Sequence, residues 1–346
     1  MKRQNDRPIN GNAVIASLLT FCILLIFIAF LCASSAKGAL DAYRPQGDDP
    51  SFPEVTDPAV TFPPFVIGTE STAAPGTDTG DVTGTGTDSS EDPETPPGVI
   101  RLRDLYEDER LIGEYNQNGV LLRISKVERG DLNMFICDIT LAAPELFRTA
   151  FAGGKINGRQ YTSKIAESVG AVFAVNGDFC GYRTNGIIIR EGVLARDKAA
   201  DWDLCFLDKN GDFNVGVSNT FNADTLISEG VRQSWCFGPT LVENYMKIEN
   251  MNRPNLSATA REPRTAIGQA GPLHYYILVV DAVRTGSGTV GGLSFSGLAD
   301  QFVALGCKVA YNLDGGGSTT LYFNGEVINS PCVNSERAVS DIIFLK

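Results

Sequence analysis

The sequence predicts an α+β fold with mixed β-sheets and short helices, formed as a single globular domain behind an N-terminal transmembrane helix. Apolar strand-like runs outnumber helical patterns, and Gly, Asn and Asp turns separate them. One long apolar run without charges lies near the N-terminus. Residues 100–346 are expected to form the globular domain, since roughly 250 residues are enough to bury one core.

The N-terminal apolar run predicts a signal anchor at residues 13–35, because its length matches the roughly 20 residues that span a bilayer. Basic residues precede the run, which predicts that residues 1–12 form a cytoplasmic tail. The chain is then expected to cross the cell membrane once, with its C-terminal domain extracellular. A cleaved signal peptide is the alternative, with Ser34-Ser35-Ala36 as the cleavage site.

Residues 36–99 are rich in Thr, Pro, Gly and Asp, which predicts a disordered linker. Such a segment buries too little apolar surface to offset the entropy lost on folding. The formal net charge of −12 argues against nucleic acid as a partner, because nucleic-acid binding relies on basic surfaces.

Two segments share one pattern, in which a short helix, a glycine and an apolar strand precede Asn-Xaa-Asp. The first helix is expected to end at Gly170 and the second to begin at Ser296. The motifs are Asn176-Gly177-Asp178 and Asn312-Leu313-Asp314. If both strands run parallel in one sheet, the motifs lie at neighbouring carboxyl ends, where open α/β sheets bind ligands.

Three glycines and Ser318 follow Asp314 directly. A glycine run turns sharply and aims several backbone N–H groups at one anion. A tight turn between two strands is the simpler interpretation of this segment. The run lacks the Gly-Lys-Ser/Thr of a P-loop.

The residue types available for catalysis are mainly carboxylates, arginines and amides. The chain has one histidine, His274, at the edge of an apolar strand, which makes histidine-dependent triads and His-rich metal sites poor hypotheses. The candidate carboxylates lie at strand ends or turns and are Asp178, Asp281, Asp314 and Glu336. The candidate arginines, whose guanidinium groups match phosphate oxygens, are Arg264, Arg284 and Arg337.

Six cysteines follow the apolar run, and an extracellular location permits disulfides. Three of them lie in apolar strand-like runs and are expected to be buried thiols: Cys137, Cys205 and Cys307. Cys180 and Cys332 flank polar motifs and are the favoured bridge. No Cys-Xaa-Xaa-Cys occurs, so no zinc site is predicted.

Five segments in this order resemble motifs of the phosphodiester glycosidase family: Asn176-Gly177-Asp178-Phe179, Phe237-Gly238-Pro239, Arg264-Thr265-Ala266-Ile267-Gly268, Asn312-Leu313-Asp314-Gly315-Gly316-Gly317-Ser318 and Glu336-Arg337-Ala338-Val339-Ser340-Asp341. The resemblance covers about residues 120–346. It departs from the family at Cys180 and at Asp281-Ala282-Val283-Arg284, where Asp-Gly-Arg is more usual. This second departure leaves the roles of Asp281 and Arg284 open.

The resemblance implies a hydrolase that cleaves a sugar-1-phosphodiester, such as an α-N-acetylglucosamine-1-phosphate linkage, in an envelope or exopolysaccharide polymer. Asp314 and Glu336 are the leading acid/base pair, with Asp178 next, because carboxylates handle proton transfer and a developing oxocarbenium ion. The residues expected to bind substrate are Asn176, Arg264, Asn312, Gly315, Gly316, Gly317, Ser318 and Arg337.

The patterns require no cofactor, and a calcium-dependent structural domain rests only on the number of acids. The main alternative to the enzyme is a non-catalytic module that binds or assembles exopolysaccharide or cell wall. The expected partners are thus a glycosyl phosphodiester or envelope polysaccharide, together with the membrane through the N-terminal helix.

Overall fold

The computed structural model describes residues 101–198, 200–251, 257–285, 288–332 and 335–346. These residues belong to a compact unit that begins at Asp88. The predicted tail at residues 1–12, the membrane anchor at 13–35 and the linker at 36–99 lie outside the described residues. Within the described ranges, no helix is both long enough and apolar enough to cross a membrane.

Short helices and many strands alternate along the described chain, which confirms a sheet-rich α+β class. The helices are α1 Leu102–Leu105, α2 Thr162–Val169, α3 Ala223–Ser228 and α4 Phe295–Ala304. The strands are β1 Glu109–Gln117, β2 Val120–Arg129, β3 Leu132–Leu141, β4 Arg148–Phe151, β5 Phe173–Asn176, β6 Ile188–Arg190, β7 Val193–Arg196, β8 Asp203–Leu207, β9 Phe213–Val217, β10 Gln233–Trp235, β11 Thr240–Glu243, β12 Met246–Lys247, β13 Arg264–Gly271, β14 His274–Thr285, β15 Gly288–Gly291, β16 Val309–Asn312, β17 Leu321–Phe323, β18 Glu326–Val327 and β19 Asp341–Leu345.

The strands form two large sheets and two small ones. The nine-stranded sheet has the order β1-β2-β3-β14-β13-β16-β11-β12, with β15 paired to β14. The five-stranded sheet has the order β18-β17-β5-β19-β4. The small sheets are β10-β8-β9 and β6-β7.

The central core lies between the two large sheets, and the period of two along each strand explains why. On β14, Tyr275, Ile277 and Val279 face this core, while the intervening residues face the other side of the sheet. On β5, Phe173 and Val175 enter the same core from the five-stranded sheet. The two large sheets therefore pack face to face.

One helix covers the outer face of each large sheet. Helix α4 packs Leu298 and Phe302 against the nine-stranded sheet, and its N-cap is Ser294 rather than the predicted Ser296. Helix α2 packs Ile165 against the five-stranded sheet and ends at Gly170, which adopts a φ of 66°, as predicted.

All described strand pairs are antiparallel, so the mixed pairing expected within the sheets is absent from these strands. In particular, β5 and β16 belong to different sheets and not to one parallel sheet. The Asn324-Gly325 dipeptide lies between two strand-like runs, which predicts a hairpin, and the structure forms it, with φ values of 48° and 93° that suit a type I′ turn.

Candidate active site

The two Asn-Xaa-Asp motifs meet, although they follow strands of different sheets. The Asn176 Nδ2 donates to the Asp314 carbonyl at 2.7 Å, and the Asp314 N–H donates to the Gly177 carbonyl at 3.3 Å. Face-to-face packing of the sheets brings the ends of β5 and β16 together. The expected juxtaposition thus arises across two sheets and not along one sheet edge.

The Asn176 side chain joins these two segments and has no free polar position. Its Nδ2 donates to the carbonyls of Gly177 and Asp314. Its Oδ1 accepts from the Thr265 hydroxyl at 2.7 Å and from the Thr320 N–H at 3.2 Å. An asparagine amide offers two donors and two acceptor positions, and all four are occupied. Asn176 therefore positions the Asp314 segment, and its predicted sugar contact would require breaking one of these bonds.

The Asp314 carboxylate forms an ion pair with Arg337, whose Nη2 lies 2.8 Å from Oδ2. Arg337 also donates from Nε to the Ser318 hydroxyl at 2.8 Å. The Asp314 side chain is only 11% exposed, whereas the Arg337 side chain is 43% exposed. The structure therefore brings three predicted site residues together, with the cation on the solvent side of the acid.

The pKa of Asp314 is raised from its usual value because the carboxyl is buried. Arg337 and the Ser318 hydroxyl partly oppose this rise, since both stabilise the ionised form. A carboxyl in this situation keeps its proton to a higher pH than an exposed one. This property suits a general acid.

The third predicted acid, Asp178, is turned inward and belongs to a buried charge cluster. Its Oδ1 and Oδ2 accept from the backbone N–H groups of Cys180 and Cys236, each at 3.0 Å. Arg190 lies 3.5 Å from Asp178 and donates to Asp341 from Nη2 at 2.6 Å. Two buried carboxylates thus share one buried guanidinium.

Burial raises the pKa of Asp341 to about 7, and Arg190 opposes that rise. The neighbouring charges of Asp178 and Asp314 raise it further. Gly177 separates the buried cluster from the Asp314 segment, and a Cβ at this position would overlap the Asp341 carboxylate. Only glycine therefore fits at position 177 against the Asp341 carboxylate.

The raised pKa of Asp341 predicts a pH-dependent stability. A carboxyl whose folded pKa exceeds its unfolded value of about 3.9 contributes stability that is fully present below that unfolded value. This contribution is lost as the pH rises through about 7. Asp341→Asn removes it, so the urea midpoint of the variant is expected to fall less between pH 4 and 7 than that of the wild type. Identical slopes for the two proteins would contradict the raised pKa, and Asp300→Asn, at an exposed carboxylate, is the control.

Glu336 does not form the expected pair with Asp314. Its carboxylate accepts from the Ser163 N–H at 2.9 Å and from the Ser163 hydroxyl at 2.5 Å, in the first turn of α2. Carboxylates are favoured there because the helix N-terminus carries free N–H groups. The adjacent residue, Arg337, is the one that reaches Asp314, and a catalytic role for Glu336 stays a prediction.

Arg264 lies apart from this group. Its guanidinium donates to the carbonyls of Leu293 and Ala260, each at 2.9 Å, and lies 4.0 Å from the Phe295 ring centroid. Burial lowers the pKa of Arg264 to about 10. The next residue, Thr265, faces Asn176, so alternation along β13 directs Arg264 toward the α4 side of the sheet. The predicted phosphate contact of Arg264 gains no support from this placement.

The Asn312 and glycine positions serve mainly to shape the backbone. Asn312 Nδ2 donates to the carbonyls of Gly238 and Leu313, while its buried Oδ1 has no hydrogen-bond partner among the described residues. The Gly316 N–H donates to the Pro263 carbonyl at 2.9 Å, so it is not free for an anion. A Cβ on Gly315 would approach the same Pro263 oxygen to 2.6 Å. A third glycine, Gly317, lies beneath the Arg337 side chain.

Asp281 forms a separate polar group at the end of the nine-stranded sheet. Its carboxylate accepts from Asn329 Nδ2 at 2.8 Å, from the Ser330 N–H at 2.9 Å and from Asn133 Nδ2 at 3.1 Å. Burial raises its pKa. These contacts join β14 to the segment after β18, and the side chain of Arg284 lies outside the described part.

The predicted Cys180–Cys332 disulfide is wrong. Among the described residues no disulfide links any of the six cysteines, and Cys180 is buried. Cys180 directs its Sγ toward Asp341 Oδ1 at 3.9 Å. The expectation of buried thiols at the three strand cysteines is confirmed.

Among the described residues, one group could offer ligands to a metal ion. The ligand atoms of Asp178, Cys180 and Asp341 lie within 4.8 Å of one another, and all three residues are buried. The Arg190 guanidinium already places a positive charge against both carboxylates. Burial also raises the pKa of Cys180, which favours the thiol over the thiolate that binds metals. This donor set therefore suits an arginine better than a metal ion.

Sequence reasoning missed Arg190 and Asp341 as functional positions. Asp341 ends a motif that the resemblance already contained, and Arg190 directly follows three isoleucines. A lone arginine after an apolar run signals a buried cation that needs a carboxylate partner. The partner itself lies 151 residues away, so only the structure identifies it.

Comparison with known proteins supports the motif-based expectation. A family model described as phosphodiester glycosidase matches residues 169–346, just over half of the chain. The chain belongs to the phosphodiester glycosidase family. The matched range contains both Asn-Xaa-Asp motifs and Arg337, so the site described above lies within the family domain.

Two relatives illustrate how far the likeness extends. The SPbeta prophage-derived uncharacterized protein YomE of Bacillus subtilis (strain 168) is 31% identical over 195 residues, which cover 54% of this chain and 30% of YomE. The catalytic domain of zebrafish N-acetylglucosamine-1-phosphodiester alpha-N-acetylglucosaminidase, auto-inhibited by its pro-peptide, matches with a TM-score of 0.54 and 19% identity. That match covers 68% of this chain and 87% of the zebrafish domain, and it shows a shared fold.

Proposed function

We propose that this phosphodiester glycosidase domain hydrolyses the bond between the anomeric carbon of a sugar and a phosphate oxygen. The observation that carries the proposal is the ion pair of the buried acid Asp314 with the half-exposed Arg337, held by Ser318. When Asp314 carries its proton, the pair places a proton donor beside an anion-binding group. Family membership supports this reaction class, and the pair supports this location for the site.

Arg337 is suited to hold the phosphate. Its Nε and Nη2 donate to Ser318 and Asp314, while Nη1 has no protein partner among the described residues. Two N–H groups of Nη1 therefore remain for phosphate oxygens. The bonds to Ser318 and Asp314 fix the guanidinium plane, which reduces the entropy lost when a phosphate binds.

Asp314 is suited to protonate the departing oxygen. In the proposed reaction water adds to the anomeric carbon, the bond from this carbon to the bridging oxygen breaks, and Asp314 gives its proton to the oxygen that leaves with the phosphate. The proton lost by the attacking water passes to solvent and restores the balance. The phosphomonoester is a comparatively good leaving group, so a single carboxyl with a raised pKa is sufficient for this role.

The setting of the reaction is a further part of the proposal. Residues 13–35 anchor the chain in the membrane and residues 100–346 act outside it on an envelope or exopolysaccharide polymer. The apolar run and its basic flank support this topology. Protease treatment of intact cells tests it, because a domain on the outer side is degraded while a domain inside the cell is protected.

The reaction is tested with the purified full-length chain and an α-N-acetylglucosamine-1-phosphodiester, the linkage that the name of the zebrafish relative describes. Equal amounts of free sugar and new phosphomonoester are the expected products. If a folded chain binds glycosyl phosphodiesters of several sugars and cleaves none, the glycan-binding module replaces the enzyme.

Replacement of Arg337 separates binding from chemistry. Arg337→Gln is expected to raise KM about 10- to 100-fold, because hydrogen bonds to a charged group contribute about 1.5–3 kcal/mol. The fall in rate at high pH, which we assign to loss of the Asp314 proton, is expected to shift to higher pH in this variant, since Arg337 lowers the pKa of that carboxyl. Arg337→Lys keeps the charge and is expected to recover part of the affinity. An unchanged KM with an unchanged pH profile would remove Arg337 from the site.

A further inference from the structure

A stack of aromatic and guanidinium planes lies beside the Asp314–Arg337 pair. Phe179 directly follows Asp178, and its ring stacks on Tyr182 with centroids 4.4 Å apart and planes 10° apart. The Arg159 guanidinium lies 3.9 Å from the Tyr182 ring centroid on the solvent side. These planes extend the site along the surface.

The stack continues in the other direction through Arg183. Its guanidinium lies 3.9 Å from the ring of Trp202, 4.7 Å from that of Phe237 and 5.7 Å from that of Phe179. The Arg337 guanidinium lies 6.0 Å from the Phe179 ring and links the stack to Asp314. We call this surface the arginine–aromatic face, consisting of Arg159, Phe179, Tyr182, Arg183 and Trp202, together with Arg196, which donates to the carbonyl of Cys180 next to Phe179.

The three arginines of this face are not paired with carboxylates in the described part of the chain. Among the described residues, no ion pair within 4 Å involves Arg159, Arg183 or Arg196. Arg183 donates to the Cys236 carbonyl and Arg196 donates to the Cys180 and Asn185 carbonyls, and these bonds leave the charges intact. Most other arginines of the described chain pair with carboxylates, as Arg129 does.

Uncompensated cations at one place are unusual in a chain with a net charge of −12. Clustered arginines beside a candidate active site raise the local concentration of anions. Guanidinium groups bind phosphate with two parallel donors, and aromatic rings offer flat apolar area to a sugar ring. The face therefore carries more positive charge than one phosphate needs, because Arg337 already serves the diester beside Asp314.

We propose that the arginine–aromatic face binds the neighbouring repeats of a glycan chain that is linked through phosphodiesters. This inference rests on the proposed function and names its substrate class: a polymer with several glycosyl phosphates and not a single terminal diester. The aromatic rings contact the sugar rings of adjacent repeats. Arg159, Arg183 and Arg196 contact their phosphates.

Tryptophan fluorescence gives a binding readout that is independent of turnover. The chain has two tryptophans. Trp235 is fully buried in the core, whereas Trp202 is partly exposed on the face and contacts Arg183. A ligand on the face is thus expected to change the emission of Trp202.

The test compares a synthetic phosphodiester-linked sugar trimer with the corresponding single diester, using the full-length chain. The trimer is expected to bind more tightly and with stronger salt dependence, because it reaches several cations at once. Arg159→Gln is expected to weaken trimer binding and raise its KM by about three- to tenfold, as for a partly exposed cation. Its kcat/KM on the single diester is expected to stay within about twofold of the wild type.

Two further variants refine the result. Arg159→Lys keeps the charge but loses the planar group, so an intermediate loss is expected if stacking contributes. Arg123→Gln removes an exposed arginine on β2, paired with Glu114 at 3.8 Å, and is the matched control. Trimer binding by Arg123→Gln is expected to equal that of the wild type.

The outcomes separate this inference from the reaction itself. Cleavage of the single diester with equal wild-type and Arg159→Gln affinity for the trimer overturns the inference and keeps the reaction. Trimer binding that Arg159→Gln weakens, without cleavage of either compound, keeps the inference and rejects the reaction. A wild-type preference for an uncharged sugar trimer of the same length would also overturn the inference.

Discussion

Asp314→Asn is expected to lower kcat for hydrolysis of a glycosyl phosphodiester by about 10²- to 10⁴-fold, the usual contribution of a general acid. The substitution keeps the shape of the side chain and removes its proton. Arg337 remains partly solvated, so its loss of a partner is tolerated. The measurement is steady-state release of sugar and phosphomonoester at several pH values, with circular dichroism to verify the fold.

Asp300→Asn is the matched control, because Asp300 is an exposed carboxylate that pairs with Lys247 on the surface of α4. Its kcat is expected to stay within about twofold of the wild type, as surface changes have small effects. The wild-type rate is expected to fall as the pH rises and Asp314 loses its proton. The midpoint of this fall is expected to lie above the usual carboxyl pKa, because burial raises the pKa of Asp314. A kcat for Asp314→Asn within about threefold of the wild type would end its assignment as the acid.

Arg190→Gln is expected to destabilise the domain by about 3–5 kcal/mol, because it leaves two buried carboxylates without their cation. Arg190 is 5% exposed and also donates to the backbone carbonyls of Ile189 and Ser234. The deficit is expected to grow with rising pH, since Asp341, whose pKa is raised by burial, loses its proton and becomes a buried charge without a cation. Urea unfolding followed by tryptophan fluorescence measures it, and Trp235 lies 5.7 Å from the guanidinium.

Arg129→Gln is the control for this effect. Arg129 also pairs with a carboxylate, that of Asp108 at 2.9 Å, but its side chain is 59% exposed. Its replacement is expected to cost less than about 1 kcal/mol. The double variant Arg190→Gln/Asp341→Asn is expected to recover part of the lost stability, because it removes one of the unpaired charges. Equal losses for Arg190→Gln and Arg129→Gln would contradict the buried cluster.

The Asp314–Arg337 pair and the buried group of Arg190, Asp178 and Asp341 differ in their exposure to solvent. Arg337 is half-exposed, and its guanidinium pairs with the buried Asp314 carboxylate. Arg190 is enclosed, and it fixes Asp178 and the backbone of Cys180 beneath the Phe179 stack. A variant of the Arg190 cluster is therefore expected to change stability first, whereas a variant of the Asp314–Arg337 pair is expected to change turnover.

Local chemistry explains why much of the fold was predictable. The Asn324-Gly325 turn pairs β17 with β18 because both residues readily adopt positive φ. Gly170 ends α2 for the same reason. The continuous apolar run on β14 correctly marked a strand, but the run alone did not state which sheet the strand joins.

The residues of the candidate site show the same difference between local patterns and long-range packing. Asp314, Ser318 and Arg337 were predicted from motifs that carry their own chemistry, and the structure brings these three together. Glu336 and Asp178 carry the same chemical group, yet one contacts the first turn of α2 and the other the buried Arg190. A carboxylate in sequence does not reveal its partner.

The sequence by itself determined the protein family, the secondary structure around each motif and the candidate residues Asp314 and Arg337, because these depend on short-range patterns. Only the tertiary structure decided that the two Asn-Xaa-Asp motifs meet across two sheets, and that Arg190 joins Asp178 to Asp341. The physical reason is that burial and electrostatic pairing depend on which distant segments pack together. Arg190 and Asp341 are 151 residues apart in sequence and 2.6 Å apart in space.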